Sequence, residues 1–374
     1  MSILSHNATN SITSTPMSGT SLTAADIPRL RLLAQQLDSP RFDDPHDAVE
    51  WMGMVQAQDY KSMRWAVAMR TRQPSINAFR RAYNERRIIR THLFRCTWQL
   101  VAAEDLHWML SLCADRNRRA INSYLASHGH VISEKEYARF NRMMEEILQG
   151  HDSMRKEELT TALSERGFST DEYRLSIYLR RAEIDGIICS GHLDERRNTY
   201  ALIASRISSE AQSMPGREKA MALLAHKYFR SHSPATLRDF TWWTGLPVRE
   251  CRRAISAIAA ELTEHTIDGD TYYLHHDISN IATTPNNLSS TPHTLLLPPY
   301  DEYLIGYKSR HHVLEDDFRA CAFSNNGIFR PVIVSNGHIV GNWHPRTDRL
   351  DFFRPEYRTN TTNARATYSR FAEL

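Results

Sequence analysis

The stretch Val55-Gln56-Ala57-Gln58-Asp59 places two carboxamides two residues apart, just after an apolar helix end. In extended backbone, side chains alternate with period two, so Gln56 and Gln58 share a face. On a helix they diverge by about 200°. Neither amide titrates near neutral pH, and each offers two N–H donors and a carbonyl acceptor. Such a pair can hold a water molecule and set carbonyl oxygens against developing positive charge. That is enough only when the leaving group departs readily, as an alkylated, cationic purine base on DNA does. The same two glutamines also read as helix-end caps or backbone partners. Asp59 reads either as a group that orients the water or as an acid opening the next helix.

Charge points the same way without deciding the matter. Lys61 to Arg119 carries thirteen Lys/Arg against four acids, in a chain whose net charge is only +3. Arginine predominates there, which suits bidentate phosphate contacts. The competing reading is a solvated face balanced by acids elsewhere. Arg90 and Arg95, on the first predicted hairpin, are candidate phosphate contacts or salt-bridge partners. Arg196 and Arg197 sit at the tip of a second hairpin, where they could enter a groove or only decorate an exposed turn.

Metal chemistry has no motif. The eighteen histidines include no HExxH, and the pairs His128/His130, His275-His276 and His311-His312 lie in polar or turn-like stretches that read as surface. The five cysteines, Cys96, Cys113, Cys189, Cys251 and Cys321, form no CxxC, which fits reduced thiols in a cytoplasmic setting. No cofactor or metal is expected. No apolar run approaches the ~18 residues of a membrane span, and the N-terminus has no secretory pattern.

Elements must hold the two amides in place, and one pattern recurs three times: a helix, a helix–turn–helix, then two short strands. That is the order of a winged helix. The predicted units are 24–128, 129–206 and 214–278, after a disordered tail at 1–23 and before a β-rich, barrel-like domain at 290–374. The fold class is mainly α with small β-hairpin wings. In the first unit helices are expected at Ile27–Leu37, Pro45–Met54, Tyr60–Arg70 and Ser75–Asn84, with wing strands at Ile88–Leu93 and Thr97–Val101. Glu134–Leu148 bridges to the second unit. In the third, Ser233 and Pro234 read as cap and first residue of a helix ending at Gly245, and Asp268-Gly269 as a hairpin turn. Near the C-terminus, Thr294–Leu297, Tyr303–Tyr307, Phe329–Val334 and His338–Trp343 read as strands. No heptad or exposed apolar stripe suggests assembly, so a monomer is expected.

From Arg31 to Leu110 the chain resembles the AlkZ/YcaQ family of winged-helix DNA glycosylases. The resemblance rests on Leu33-Ala34-Gln35-Gln36-Leu37, Val55-Gln56-Ala57-Gln58-Asp59, Trp65-Ala66-Val67, Ile89-Arg90-Thr91-His92 and Val101-Ala102-Ala103-Glu104-Asp105-Leu106. It continues through Ala235 to Leu246, Leu297-Pro298-Pro299-Tyr300-Asp301-Glu302-Tyr303 and Ile339-Val340-Gly341-Asn342-Trp343. The resemblance implies three tandem winged helices closed by a β-barrel, a basic concave surface for duplex DNA, and metal-free excision of bulky or N7-alkylated purines. In some members it implies the unhooking of interstrand crosslinks. It further implies that Gln56 and Gln58 position water and stabilise an oxocarbenium-like sugar. One departure stands out. Where members often read Arg-Gly-Thr-x-His, this chain has Arg95-Cys96-Thr97-Trp98-Gln99, losing backbone freedom at Cys96 and a titratable group at Gln99, a supporting candidate. The alternatives from other classes are a non-catalytic winged-helix DNA-binding or regulatory protein and an interaction scaffold.

Overall fold

The computed structural model describes residues 22–207, 214–283 and 294–373. The tail before residue 22 and most of the loop expected up to Pro292 lie outside the described residues. Helices dominate, and the strands form four small antiparallel sheets.

Three of these sheets repeat one plan. The first contains β1 (Val55–Gln56), β2 (Ile88–His92) and β3 (Trp98–Ala102), with β3 in the centre. The second contains β4 (Met154–Arg155), β5 (Ile188–Ser190) and β6 (Thr199–Leu202), with β6 in the centre. The third contains β7 (Ala235–Thr236), β8 (Leu262–Ile267) and β9 (Asp270–His275), with β9 in the centre. Each time a two-residue strand precedes two helices and then pairs with the last strand of the following hairpin. Gln56 therefore faces Gln99, Arg155 faces Thr199 and Thr236 faces Tyr272.

Local chemistry explains most boundaries. Ser133 and Glu136 form a reciprocal capping box at the start of Glu134–Leu148. Asp268 and Gly269, both at positive φ, close the β8–β9 hairpin. Ser233-Pro234 does not open a helix, contrary to expectation. Ala235–Thr236 pairs with β9 instead, and the helix is Leu237–Thr244. Thr236 and Asp239 supply its capping box and fix the later start.

The C-terminal region also departs from expectation. The strand expected at Tyr303–Tyr307 is a short helix, Glu302–Ile305, because the Asp301 carboxylate accepts the Tyr303 N–H at 2.9 Å and turns the chain. The last sheet, β10 (Thr294–Leu297), β11 (Val332–Ser335), β12 (His338–His344) and β13 (Arg349–Phe352), is an open meander with β10 and β13 as edges. No closed barrel forms among the described residues. The Thr362–Glu373 helix lies against this sheet instead, with Phe371 beside Trp65.

The expected units share cores rather than standing apart. Met109, Leu112 and Cys113 of the Leu106–Ser127 helix pack with Met221, Leu224 and Tyr228 of the Arg217–His232 helix. Ile121 and Leu125 of the same helix pack with Phe140, Leu175 and Tyr178. Leu274 and Ile278 join the core of the first sheet, beside Val55, Ala57 and Leu100. At roughly 1.5–3 kcal/mol for each large apolar side chain buried, these shared layers hold the first sheet rigidly.

Candidate active site

Gln56 ends β1, is 4% exposed, and is held through its backbone. Its N–H donates to Glu302 Oε1 at 2.7 Å. Its side-chain Oε1 accepts the Thr97 hydroxyl at 3.3 Å. Ala57 continues the pairing by donating its N–H to the Trp98 carbonyl at 2.9 Å, while its methyl is buried in the core. Alternation turns the neighbouring glutamines away from that core. Gln58 is exposed in the bend beyond Ala57, and its side chain makes no hydrogen bond among the described residues. Asp59 Oδ1 accepts the N–H groups of Lys61 (3.1 Å) and Ser62 (2.8 Å). These are the contacts of an acid that opens the next helical segment.

Glu302 is not singled out by the sequence, and it is the anchor of the site. It is 3% exposed. Oε2 accepts the Trp243 indole N–H at 3.1 Å and lies 3.5 Å from His232 Nε2. Burial keeps His232 below the ordinary histidine pKa even though Glu302 favours its protonation. Next door, Asp301 pairs with Arg70 through two 2.9 Å bonds, and Arg70 also donates to Gln35. A buried pair of this kind costs about 3–5 kcal/mol when one partner is removed, so the helix turn carrying Glu302 is firmly fixed. The segments around Gln56, Trp243 and Glu302 are three of those that carry the family resemblance, and they converge here.

The arginine candidates separate. Arg90 is 1% exposed and is not available to a phosphate, correcting the expected role. Its Nε and Nη2 donate to the Ala57 carbonyl at 3.1 and 2.9 Å, and Nη1 donates to Asn198 at 3.1 Å. Its guanidinium lies over Trp98, 4.3 Å from the ring centre. It clamps the peptide between the two glutamines. Arg95 is half-buried at positive φ (59°), and its stem passes Gly245, where a Cβ would come within 2.8 Å of Arg95 Cγ. Burial lowers its pKa, with Glu302 opposing. Arg196 and Arg197 are exposed, and Arg197 pairs with Glu157.

The departures from the family pattern have local consequences. Cys96 adopts φ 54°, a left-handed conformation that glycine takes without strain. Burial pushes its thiol up to about 11, so it is not a thiolate at neutral pH. Gln99 is buried, and its Oε1 accepts the Phe94 N–H at 3.1 Å, closing the hairpin loop beside Gln56.

The basic surplus of the stretch Lys61–Arg119 is partly compensated by acids outside that stretch. Arg70, Arg72, Arg86, Arg87 and Arg118 pair with Asp301, Asp43, Asp152, Asp44 and Asp185. Two histidine-containing groups could approach a metal, His226–Glu261–His275 and Asp268–His311–His312, and neither includes Gln56 or Gln58. His275 and His312 are buried, contrary to the surface reading. His275 Nδ1 accepts the Asp277 N–H at 3.1 Å, which leaves the Nε2 proton facing Glu261, a hydrogen-bonded arrangement. No described helix is long and apolar enough to cross a membrane.

The chain is thus mainly helical with repeated three-stranded sheets, and the backbone at Gln56 and Ala57 is gripped while the Gln58 amide is exposed. The model of the family "DNA glycosylase AlkZ-like" matches residues 49–358, and the chain belongs to that family of hydrolases acting on N-glycosyl bonds. It is similar to the interstrand DNA cross-link repair glycosylase of Streptomyces sahachiroi, with 24% identity over 323 residues, covering 84% of this chain and 85% of that protein. The solved structure of Streptomyces sahachiroi DNA glycosylase AlkZ shares the fold, with TM-score 0.76 and 22% identity over 95% of this chain and 98% of that one.

Proposed function

We propose that this glycosylase hydrolyses the N-glycosidic bond of N7-alkylated purines in duplex DNA, including bulky or crosslinked ones, with Gln56-Ala57-Gln58 as its positioning motif. The observation that carries the reading is the asymmetry of the motif. Glu302 and Arg90 grip the backbone at Gln56 and Ala57, while Gln58 is exposed without a protein partner among the described residues. A fixed frame then presents a free amide to substrate.

In the reaction, a water oxygen bonds to C1′ of the sugar as the C1′–N9 bond breaks. The electron pair leaves with the base and cancels its positive charge, and the water proton passes to solvent. The glutamine carbonyl oxygens face the positive charge that develops on the sugar, and the amide of Gln58 holds the water. N7 alkylation makes the base a good leaving group, so no strong general acid is required. The crosslink substrate is supported by the name of the Streptomyces relative. The three repeated sheets support a reading as winged helices at 24–128, 129–206 and 214–278, with Arg95, Arg196 and Arg197 toward DNA phosphates.

The test is a gel assay on duplexes carrying one N7-methylguanine or one N7–N7 crosslink, with alkaline cleavage of any abasic product. Release by the wild type and none by the Gln56→Ala/Gln58→Ala double variant is the expected result. Duplex binding without release from either substrate would leave a DNA-binding protein without this chemistry.

A further inference from the structure

Trp242 lies next to the glutamate-bonded Trp243 and is surrounded by positive charge. Arg95 Cζ is 5.4 Å from its ring centre, Lys308 Nζ 4.6 Å and Arg310 Cζ 5.5 Å. The grouping is built rather than incidental. The Trp242 indole N–H donates to the Ile305 carbonyl at 3.0 Å. Asp239, one turn earlier on the same helix, accepts the backbone N–H groups of Lys308 (2.8 Å) and Ser309 (3.0 Å). Arg310 Nε donates to the Leu304 carbonyl at 2.6 Å. The segment 305–310 is thus strapped across the indole.

Unlike the arginines paired with aspartates above, these three cations have no carboxylate at ion-pair distance among the described residues. Arg310 Nη2 and Arg95 Nε are buried without a hydrogen-bond partner. Burial, with Arg319, Arg95 and Arg31 nearby, draws the Arg310 guanidinium down to about 10 although Asp239 opposes the shift. Cations gathered at a wall of low dielectric, with donor atoms unused, favour an anion that accepts several hydrogen bonds.

We infer that Arg95, Lys308 and Arg310 around Trp242 bind a backbone phosphate of the DNA strand carrying the damaged base. The inference rests on the duplex-DNA reading above and adds where the strand is gripped. Proximity to the amides supports that choice of phosphate. Arg95 lies two residues before Thr97, whose hydroxyl donates to Gln56, and Trp243 donates to the glutamate that holds the Gln56 backbone.

Lys308 is exposed, so its variants test the site without disturbing the core. Binding is measured across a salt series with a duplex containing one tetrahydrofuran abasic analogue. A second set of duplexes carries one neutral methylphosphonate at each position within three nucleotides of the analogue. We expect Lys308→Ala to weaken binding about 5- to 10-fold and to lower the log–log salt slope by about one. Lys308→Glu should do more. One methylphosphonate should weaken wild-type binding to a similar degree and have no further effect on Lys308→Ala. Steep salt dependence unchanged in both variants, or methylphosphonate effects that simply add to Lys308→Ala, would overturn the phosphate site and leave the glycosylase reading standing. Wild-type binding without salt dependence would overturn the phosphate site together with the duplex-backbone contacts proposed above, while base release tests the glycosylase reading separately.

Discussion

The first sheet and its two repeats differ in how the chain leaves the opening strand. In the second sheet, β4 runs directly into the Lys156–Glu165 helix, and the Arg155 N–H donates to Glu158 of its first turn at 2.6 Å. In the third, Thr236 of β7 caps the helix that begins at the next residue. In the first, six residues, 57–62, separate β1 from the Met63–Ala68 helix. That connector carries Gln58 and Asp59. A residue that elsewhere satisfies its own helix start is here gripped by Glu302, 246 positions away in sequence. One architecture therefore serves as a local cap twice and as a long-range scaffold for a free amide once.

Outside the amide pair itself, breaking the long-range grip gives the largest expected effect. Glu302→Ala leaves the Gln56 N–H and the Trp243 indole N–H without their acceptor, and excision should fall about 100-fold in kcat with duplex affinity little changed. Glu302→Gln, which keeps one carbonyl acceptor, should recover part of the loss. Thr236→Ala, at the equivalent place in the third sheet, should cost about 1 kcal/mol in urea unfolding and leave kcat alone. Equal effects on kcat would erase the distinction between the sheets.

Arg90→Ala sharpens the comparison next. It removes the clamp on Ala57 and should cost about 2–4 kcal/mol of stability. The salt slope of DNA binding should not change, because the side chain is buried. Arg196→Ala should do the reverse, weakening binding a few-fold with stability unchanged. At the first hairpin, Cys96→Gly should stay within about 1 kcal/mol of wild type, whereas Cys96→Val should lose about 2 kcal/mol, since β-branched residues resist positive φ. Thermal unfolding of the two variants checks this.

The smallest effect is a pH dependence beside the first sheet. His46 Nε2 meets Glu104 at 3.1 Å, joining the helix before β1 to the turn after β3. The Glu104 hydrogen bond, with Asp47, raises the His46 pKa to about 9 against burial. The contribution is fully present below pH 6.5 and is lost as pH rises through about 9. Glu104 is half exposed, so screening reduces it to about 1 kcal/mol. Between pH 6.5 and 9 the Tm of wild type should fall toward that of His46→Gln.

What the sequence reveals depends on how local the cause is. Glu134–Leu148 is legible to the residue because its capping box lies within four positions, and Thr294–Leu297 is clear from its apolar run. The proposed amide motif rests on spacing and on the family resemblance. Glu302 is not, because its role depends on partners 59 and 246 positions away. The one hint is an Asp-Glu pair, Asp301-Glu302, inside an apolar stretch. The Tyr303–Tyr307 region misleads for the same reason: its apolar residues suit a strand, while Asp301 caps a helix and pairs with Arg70. Arg90 reads as a surface cation until the fold buries it beneath Trp98.

The proposed mechanism rests above all on an exposed amide, Gln58, carried by a fixed backbone. Single-turnover excision of N7-methylguanine by wild type and Gln58→Ala, with duplex binding measured on the same samples, tests it most directly. The variant should bind nearly as wild type does and release no base. Release by Gln58→Ala at a rate comparable to wild type would contradict the mechanism.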